Sequence, residues 1–332
     1  MARTVNYSAE QVKVDGIDVV RLSDAAHRVE VSIVPSIGNI AYEMKAAGKH
    51  IFWSPYSTLK ELKDKPVQVG NPLLAPWANR IDGDAYWANG KKYLLNPELG
   101  NFRYDGNHHP IHGLLLFTGE WKVVGVRADA ASASVTSELE FWRRPDWMAQ
   151  FPFAHKIAMT YRLKDGGLEV ETVIENLSSE AMPLSLGYHT YYRLDDSTRD
   201  EWKVHVPARD HMVLSSMLIP TGEKKPVELA DLQSLKDFKL DDVFTGLVRD
   251  SAGRAEFRLE GKEQRIRVLF GAKFDVGVVF APPGRGFVCF EPMAGLTNAF
   301  NLAHEGIYRG LQSIPPGGTW KESFWIIPEG FK

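Results

Sequence analysis

Cysteine is nearly absent from this chain: among 332 residues there is one, Cys289. A single thiol excludes an internal disulfide. Charge of one sign is lacking too. The 39 Lys and Arg stand against 42 Asp and Glu, a net charge of −3, so no whole-chain field draws nucleic acid or an anionic membrane. No apolar run approaches the roughly 18 residues of a membrane span. Residues 1–6 lack the apolar core of a signal peptide, so a cytoplasmic protein is expected. The phosphate-cradling patterns G-x-G-x-x-G and G-x-x-x-x-G-K-[ST] are missing, as is a strand–helix rhythm, which argues against nucleotide chemistry on a doubly wound sheet. No G-x-S-x-G elbow is present, which argues against the common serine hydrolases. There is no Pro-, Gly- or Ser-rich linker, no low-complexity tract and no internal repeat, so residues 1–332 are expected to form one domain. Helical periodicity is scarce, confined to residues 58–65 and 229–238.

The chain has a large apolar fraction, 44%, and many aromatics: 9 Trp, 11 Tyr and 17 Phe. A sequence of this length buries a sizeable core without covalent staples. The dominant period is two. Val135, Leu139 and Phe141 share a face, as do Ile157, Met159, Tyr161 and Leu163, then Leu168, Val170, Thr172 and Ile174. Lys164-Asp165-Gly166-Gly167 between the last two runs is a hairpin signal. Phe257 and Leu259 answer Ile266, Val268 and Phe270 across the polar turn 260–263. Such alternation fits antiparallel sheets. The expected fold is all-β, a large antiparallel β-sandwich with a few short helices.

Two segments carry chemistry. The apolar run 287–301 delivers one acid, Glu291, where Pro292 is expected to end a buried strand. A lone buried acid is costly unless it has a partner or a task. The run 183–194 delivers His189 among Tyr188, Tyr191 and Tyr192. A strand-borne acid and a strand-borne histidine outline a general acid and base. On its own, His189 reads more readily as a satisfied core histidine than as a catalytic group. Arg80, between Trp77 and Ile81, is either a surface ion-pair residue or a planar donor fork for hydroxyl oxygens. His112, between Ile111 and Gly113, is a ligand-contact candidate, with Gly113 allowing close approach to the backbone. His108, His109 and His112 tempt a metal reading, but adjacent residues of an extended chain point apart and Pro110 blocks helical convergence. No metal and no cofactor are expected.

Taken in order, several segments resemble the aldose 1-epimerase (galactose mutarotase-like) family. They are residues 31–40, Ala78-Asn79-Arg80-Ile81, Ile111-His112-Gly113, Phe151-Pro152-Phe153, Gly187-Tyr188-His189-Thr190-Tyr191-Tyr192, Leu240-Asp241-Asp242-Val243-Phe244, and 290–301. The resemblance implies a sandwich of long curved antiparallel sheets. It implies an isomerase that interconverts α and β anomers of an aldose, with His189 and Glu291 as acid and base. Arg80, His112 and Asp241 would contact the sugar, Asp242 being the neighbouring alternative to Asp241. An aromatic, Trp77 or Tyr191, would cover a sugar face. The partner implied is a small-molecule sugar, with no nucleic acid and no membrane. Two alternatives stand beside it. One is a mutarotase for hexose 6-phosphates, with Arg143, Arg144 or Arg193 as its cationic cluster. The other is a non-catalytic sugar-binding protein on the same sandwich.

Overall fold

The computed structural model describes residues 6–229, 231–236 and 238–332. Among these residues the strands gather into sheets of nine, eight and five strands, with smaller two-stranded ribbons, and every strand ladder is antiparallel. No helix in this set is long and apolar enough to cross a membrane. The all-β expectation holds.

The nine-stranded sheet shows how the period-two pattern becomes a layer. Its centre is the hairpin His155–Lys164 and Gly167–Asn176, closed by Lys164 opposite Gly167. The turn residues Asp165 and Gly166 take φ of 49° and 74°, the left-handed pair that a tight hairpin with the right twist demands. Ile157, Met159, Tyr161 and Leu163 are buried on one face, and Leu168, Val170, Thr172 and Ile174 join them from the partner strand. The long strand Thr319–Glu329 lies beside them and leads on to Arg265–Phe270 and Ala255–Glu260.

The eight-stranded sheet packs face to face with the nine-stranded one. Tyr188 meets Phe324 at 4.9 Å between ring centroids, and Phe290 meets Phe257 at 5.6 Å. The Tyr188 hydroxyl shares a hydrogen bond with the Thr172 hydroxyl, which satisfies both groups inside the layer. The five-stranded sheet, Tyr7–Val14 through Lys49–His50, covers the other end of the nine-stranded sheet. There Tyr161 donates its hydroxyl to the Asn39 carbonyl at 2.9 Å. Side chains from all three sheets join one hydrophobic cluster.

Helices differ in detail from expectation. Residues 58–65 do yield the helix Leu59–Asp64, with Thr58 and Glu61 capping its start reciprocally. Residues 229–238 instead supply the short edge strand Gln233–Ser234 beside Lys203–His205. Leu232 there has φ of 55°, a left-handed conformation that a helix interior does not admit. Ala230 and Asp237 of that stretch lie outside the described residues. Two helices went unforeseen, Pro145–Gln150 and Ala299–His304. Each has six residues, too few for a 3.6-residue period to stand out.

Candidate active site

The strand Val288–Met293 runs in the middle of the eight-stranded sheet between Val276–Ala281 and the broken pair Gly187–Tyr188 and Thr190–Tyr192. Pro292 does not end this strand, as its sequence context suggested; it sits inside it, opposite Gly277. Its effect is on the other neighbour. Gly187 lies opposite Met293 and Thr190 opposite Phe290, so the same register sets His189 opposite Glu291 and Tyr188 opposite Pro292. Proline has no N–H to give, and the ladder opens at that point. Side chains of directly opposed residues share a face. Tyr188, Tyr192 and Phe290 therefore point into the layer between the sheets, and His189, Tyr191, Cys289 and Glu291 point the other way.

On that second face His189 Nε2 lies 3.2 Å from Glu291 Oε1. Both residues are buried, His189 7% and Glu291 2% exposed. Burial pushes the His189 imidazole down to about 3, and the positive charges of Arg103 and Arg80 add to this. Burial likewise pushes the Glu291 carboxyl well up, helped by the negative charge of Asp241 and opposed by Arg80. A carboxylate beside an imidazolium would be expected to favour each other's charge. Here burial pushes each member toward its uncharged form.

Three polar atoms converge on this spot without a hydrogen-bond partner in the described protein: Glu291 Oε2, His189 Nδ1 and His112 Nδ1. Buried polar atoms are rarely left so, and three at one place mark where a ligand's polar groups fit. His112 stands edge-on to His189, centroids 5.4 Å apart. Burial lowers its pKa well below the ordinary value, with His189, Arg103 and Arg80 contributing, so it too is neutral. It arrives by an unusual backbone path. His112 and Gly113 have φ of 66° and 67°, the His112 N–H donates to the Asn79 carbonyl at 2.9 Å, and a Cβ on residue 113 would lie 2.1 Å from the Ala75 carbonyl oxygen. Only glycine fits there.

Arg80 is held rather than free. Its Nε donates to Asp105 Oδ2 at 2.5 Å and its Nη1 to Asn79 Oδ1 at 2.9 Å. Burial works against charge on Asp105, but the N–H groups of His109 and Asn107 and the Arg80 fork keep its carboxyl below the usual range. Asp241 lies opposite Phe280, Phe280 opposite Cys289, and Cys289 opposite Tyr191, which puts Asp241 on the face of the His189–Glu291 pair. Burial raises its carboxyl, with Arg80 holding it back. Asp242 faces away and meets His211 Nε2 at 2.8 Å. Of the two acids, Asp241 is the one on the face of the pair.

Of the two aromatics, Tyr191 stacks on His189 at 4.7 Å and on Trp53 at 5.8 Å, with Phe280 and Phe287 completing the wall. Trp77 is 1% exposed and part of the main core. The histidines of residues 108–112 part company. His108 stacks on Tyr104, His109 lies 3.7 Å from Asp82, and His112 alone reaches the site. No group of three or more His, Cys, Asp and Glu among the described residues is placed to hold a metal ion. Arg103, on the ribbon beside residues 110 and 111, joins the surroundings of His112 and His189. Nothing in its sequence context signalled this.

The model of the aldose 1-epimerase family matches residues 18–326. The chain belongs to that family. It is 28% identical over 182 residues to galactose mutarotase of Homo sapiens, an alignment covering 49% of this chain and 47% of the human protein. It is 25% identical over 159 residues to the uncharacterized protein YihR of Escherichia coli, covering 48% and 47% of the two chains. The chain thus spans about half the length of the curated relatives it matches. Among solved structures, a galactose mutarotase-like protein from Clostridium acetobutylicum superposes with a TM-score of 0.85 at 22% identity, covering 98% of this chain and 99% of the other. Galactose 1-epimerase from Lactobacillus acidophilus superposes with a TM-score of 0.71 at 14% identity, covering 99% and 100%. At these identities the structural likeness establishes the fold.

Proposed function

We propose that this chain is an aldose mutarotase in which His189 and Glu291 move the protons. The observation that carries the reading is the 3.2 Å pair itself, buried, with an unpartnered polar atom on each member and another on His112. Anomerisation asks for that inventory. A proton leaves the O1 hydroxyl, another reaches the ring oxygen, the C1–O5 bond breaks to give an open-chain aldehyde, the C1–C2 bond turns, and the ring closes on the other face. Glu291, as carboxylate, takes the O1 proton. His189, carrying the pair's proton, gives it to the ring oxygen. The reverse transfers close the ring, so the pair ends with the single proton it began with. Each positioned transfer contributes typically ~10²–10⁴-fold.

With both members uncharged, the pair is one proton hop from this working form, along the existing Nε2–Oε1 contact. A hydroxyl presented to Glu291 donates to the carboxylate, and Arg80 already opposes the upward shift of that carboxyl. Both effects favour the ionised acid when substrate is bound. Arg80 and His112 would hold sugar hydroxyls, Asp241 would accept from another, and Tyr191 would cover a ring face. The reading takes the chain as one domain, since a single hydrophobic cluster draws on all three large sheets. A binding protein without catalysis would need no proton-transfer pair. The test is anomer exchange, followed by NMR on a panel of aldoses. Wild type should accelerate exchange, and Glu291→Gln should lose at least ~10²-fold. Exchange at wild-type rates in Glu291→Gln would remove Glu291 as the base.

A further inference from the structure

Arg80, Ile111 and Arg103 lie in one row across neighbouring backbones, with Arg80 bridged to Ile111 and Ile111 paired with Arg103. Directly opposed residues share a face, and each antiparallel step spans roughly 5 Å, so the two arginines stand on one face about 10 Å apart at the Cα atoms. Their situations differ. Arg80 is neutralised by Asp105. Arg103 has no carboxylate within ion-pair distance among the described residues. Its Nη2 donates to the Gln68 side-chain carbonyl oxygen at 3.3 Å, and its guanidinium lies 5.7 Å over the Phe117 ring. Since guanidinium only donates, Gln68 must turn its oxygen to Arg103. That leaves the Gln68 amide nitrogen, which is buried and without a partner. One uncompensated cation and one idle amide donor therefore sit side by side.

Arg103 is tied to the proton-transfer pair through Ile111, its ladder partner, whose neighbour His112 stands edge-on to His189. Arg80 bears on Glu291 and Asp241, and Arg103 bears on Tyr191. His112 and His189 lie between and respond to both. On the reading proposed above, on which this inference rests, O1 sits at Glu291 and the ring oxygen at His189. The next atoms along a pyranose are C5 and its exocyclic C6, on the Arg103 side. A cavity of about 300 Å³ lies on that side, lined by Phe102, Arg103, Gly113 and Phe117 and by the ion-paired Arg144 and Asp146. We infer that Arg103 and Gln68 form a subsite for an anionic group at the C6 end of the sugar, making a phosphorylated or carboxylated aldose the preferred substrate class. The three arginines that sequence context offered for this task are otherwise engaged. Arg143 pairs with Glu140, Arg144 with Asp146 and Glu120, and Arg193 with Asp195.

The test compares NMR exchange rates for glucose, glucose 6-phosphate and glucuronate, and for their galacto counterparts, in wild type, Arg103→Gln and Arg103→Lys. Wild type should prefer an anionic sugar, and the phosphate and carboxylate arms show which anion is read. Charge-assisted hydrogen bonds are the strong ones, so in Arg103→Gln the ratio of kcat/KM for the anionic over the neutral sugar should fall about ten- to hundredfold, mostly through KM. Arg103→Lys should recover part of it, having charge without the fork. Calorimetry with 1,5-anhydroglucitol and its 6-phosphate, which cannot open, separates anion recognition from catalysis. The 6-phosphate should bind more tightly, and Arg103→Gln should abolish the difference. Should no sugar be anomerised while that difference stands, the mutarotase reading fails and the anion subsite survives. Equal binding of the two anhydro sugars, or an anionic-to-neutral ratio untouched in Arg103→Gln, overturns the subsite.

Discussion

The strand Val288–Met293 has two dry faces that share little else. Toward the nine-stranded sheet it presents Phe290, packed on Phe257 and Tyr192. Toward the other side it presents Cys289 and Glu291, against Tyr191 and His189. Exposure barely distinguishes them, since every residue of the strand is buried. The chemistry of the groups does. The inner face carries tyrosine hydroxyls, Tyr188 with its Thr172 partner and Tyr192 with none. The outer face carries an acid and an imidazole in contact, with Glu291 Oε2 and His189 Nδ1 unpartnered. A dry face of rings and hydroxyls is packing. A dry face with orphaned titratable groups, whose pKa values burial drives toward neutrality, is where function is expected.

His189→Asn tests the outer face most severely. The exchange rate should fall ~10²–10⁴-fold, and the pH profile should change form. In wild type the competent pair holds one proton. Its rate drops as pH falls toward the His189 value of about 3, where the pair takes a second proton, and drops again as pH rises through the elevated Glu291 value, where the pair loses its only one. Without His189, Glu291 titrates alone, and what activity remains should rise with pH through that upper region instead of falling. Rate against pH by NMR exchange settles it. A preserved alkaline fall would assign that limb to another group.

Phe290→Ala tests the inner face. Truncating a buried aromatic costs ~3–5 kcal/mol through lost burial and a residual cavity, so the calorimetric unfolding midpoint should drop by several degrees. Glu291→Gln, one residue along, should leave that midpoint nearly unchanged, since the acid it replaces is already neutral. A Phe290→Ala protein that lost activity with its midpoint intact would break the distinction between the faces.

The smallest effects come from the strand Leu240–Leu247, two places from that of Glu291 in the sheet. Asp241→Asn should weaken sugar binding, read as a raised KM. Asp242→Asn weakens the partly exposed contact with His211, worth ~1 kcal/mol or less, keeps an oxygen to accept the Asp241 N–H, and should leave exchange kinetics alone. Reversed outcomes would exchange the two acids.

How far these features were legible in advance follows from how local their causes are. The nine-stranded sheet was readable because hairpins such as Asp165–Gly166 and inward rows such as Ile157, Met159, Tyr161 and Leu163 are written within ten residues. Glu291 was readable because an isolated acid in an apolar run is costly. The helices Pro145–Gln150 and Ala299–His304 were not, being shorter than the pattern that reports them. Pro292 was misread for a related reason. Whether a missing N–H ends a strand depends on which neighbouring strand needed it, and that strand lies a hundred residues away.

Neighbouring residues dictate an all-β chain, hairpins such as that at Asp165–Gly166, and a short list of candidates for moving protons or holding a sugar. These follow from side-chain period, turn chemistry and the expense of burying charge. Packing of distant strands dictates that His189 faces Glu291, that Asp241 rather than Asp242 turns to them, that burial pushes both members of the pair toward their uncharged forms, and that Arg103 stands opposite Ile111 with no carboxylate partner among the described residues. Each of these is a relation across strands far apart in the chain, fixed by ladder register and by how completely the packed sheets exclude water.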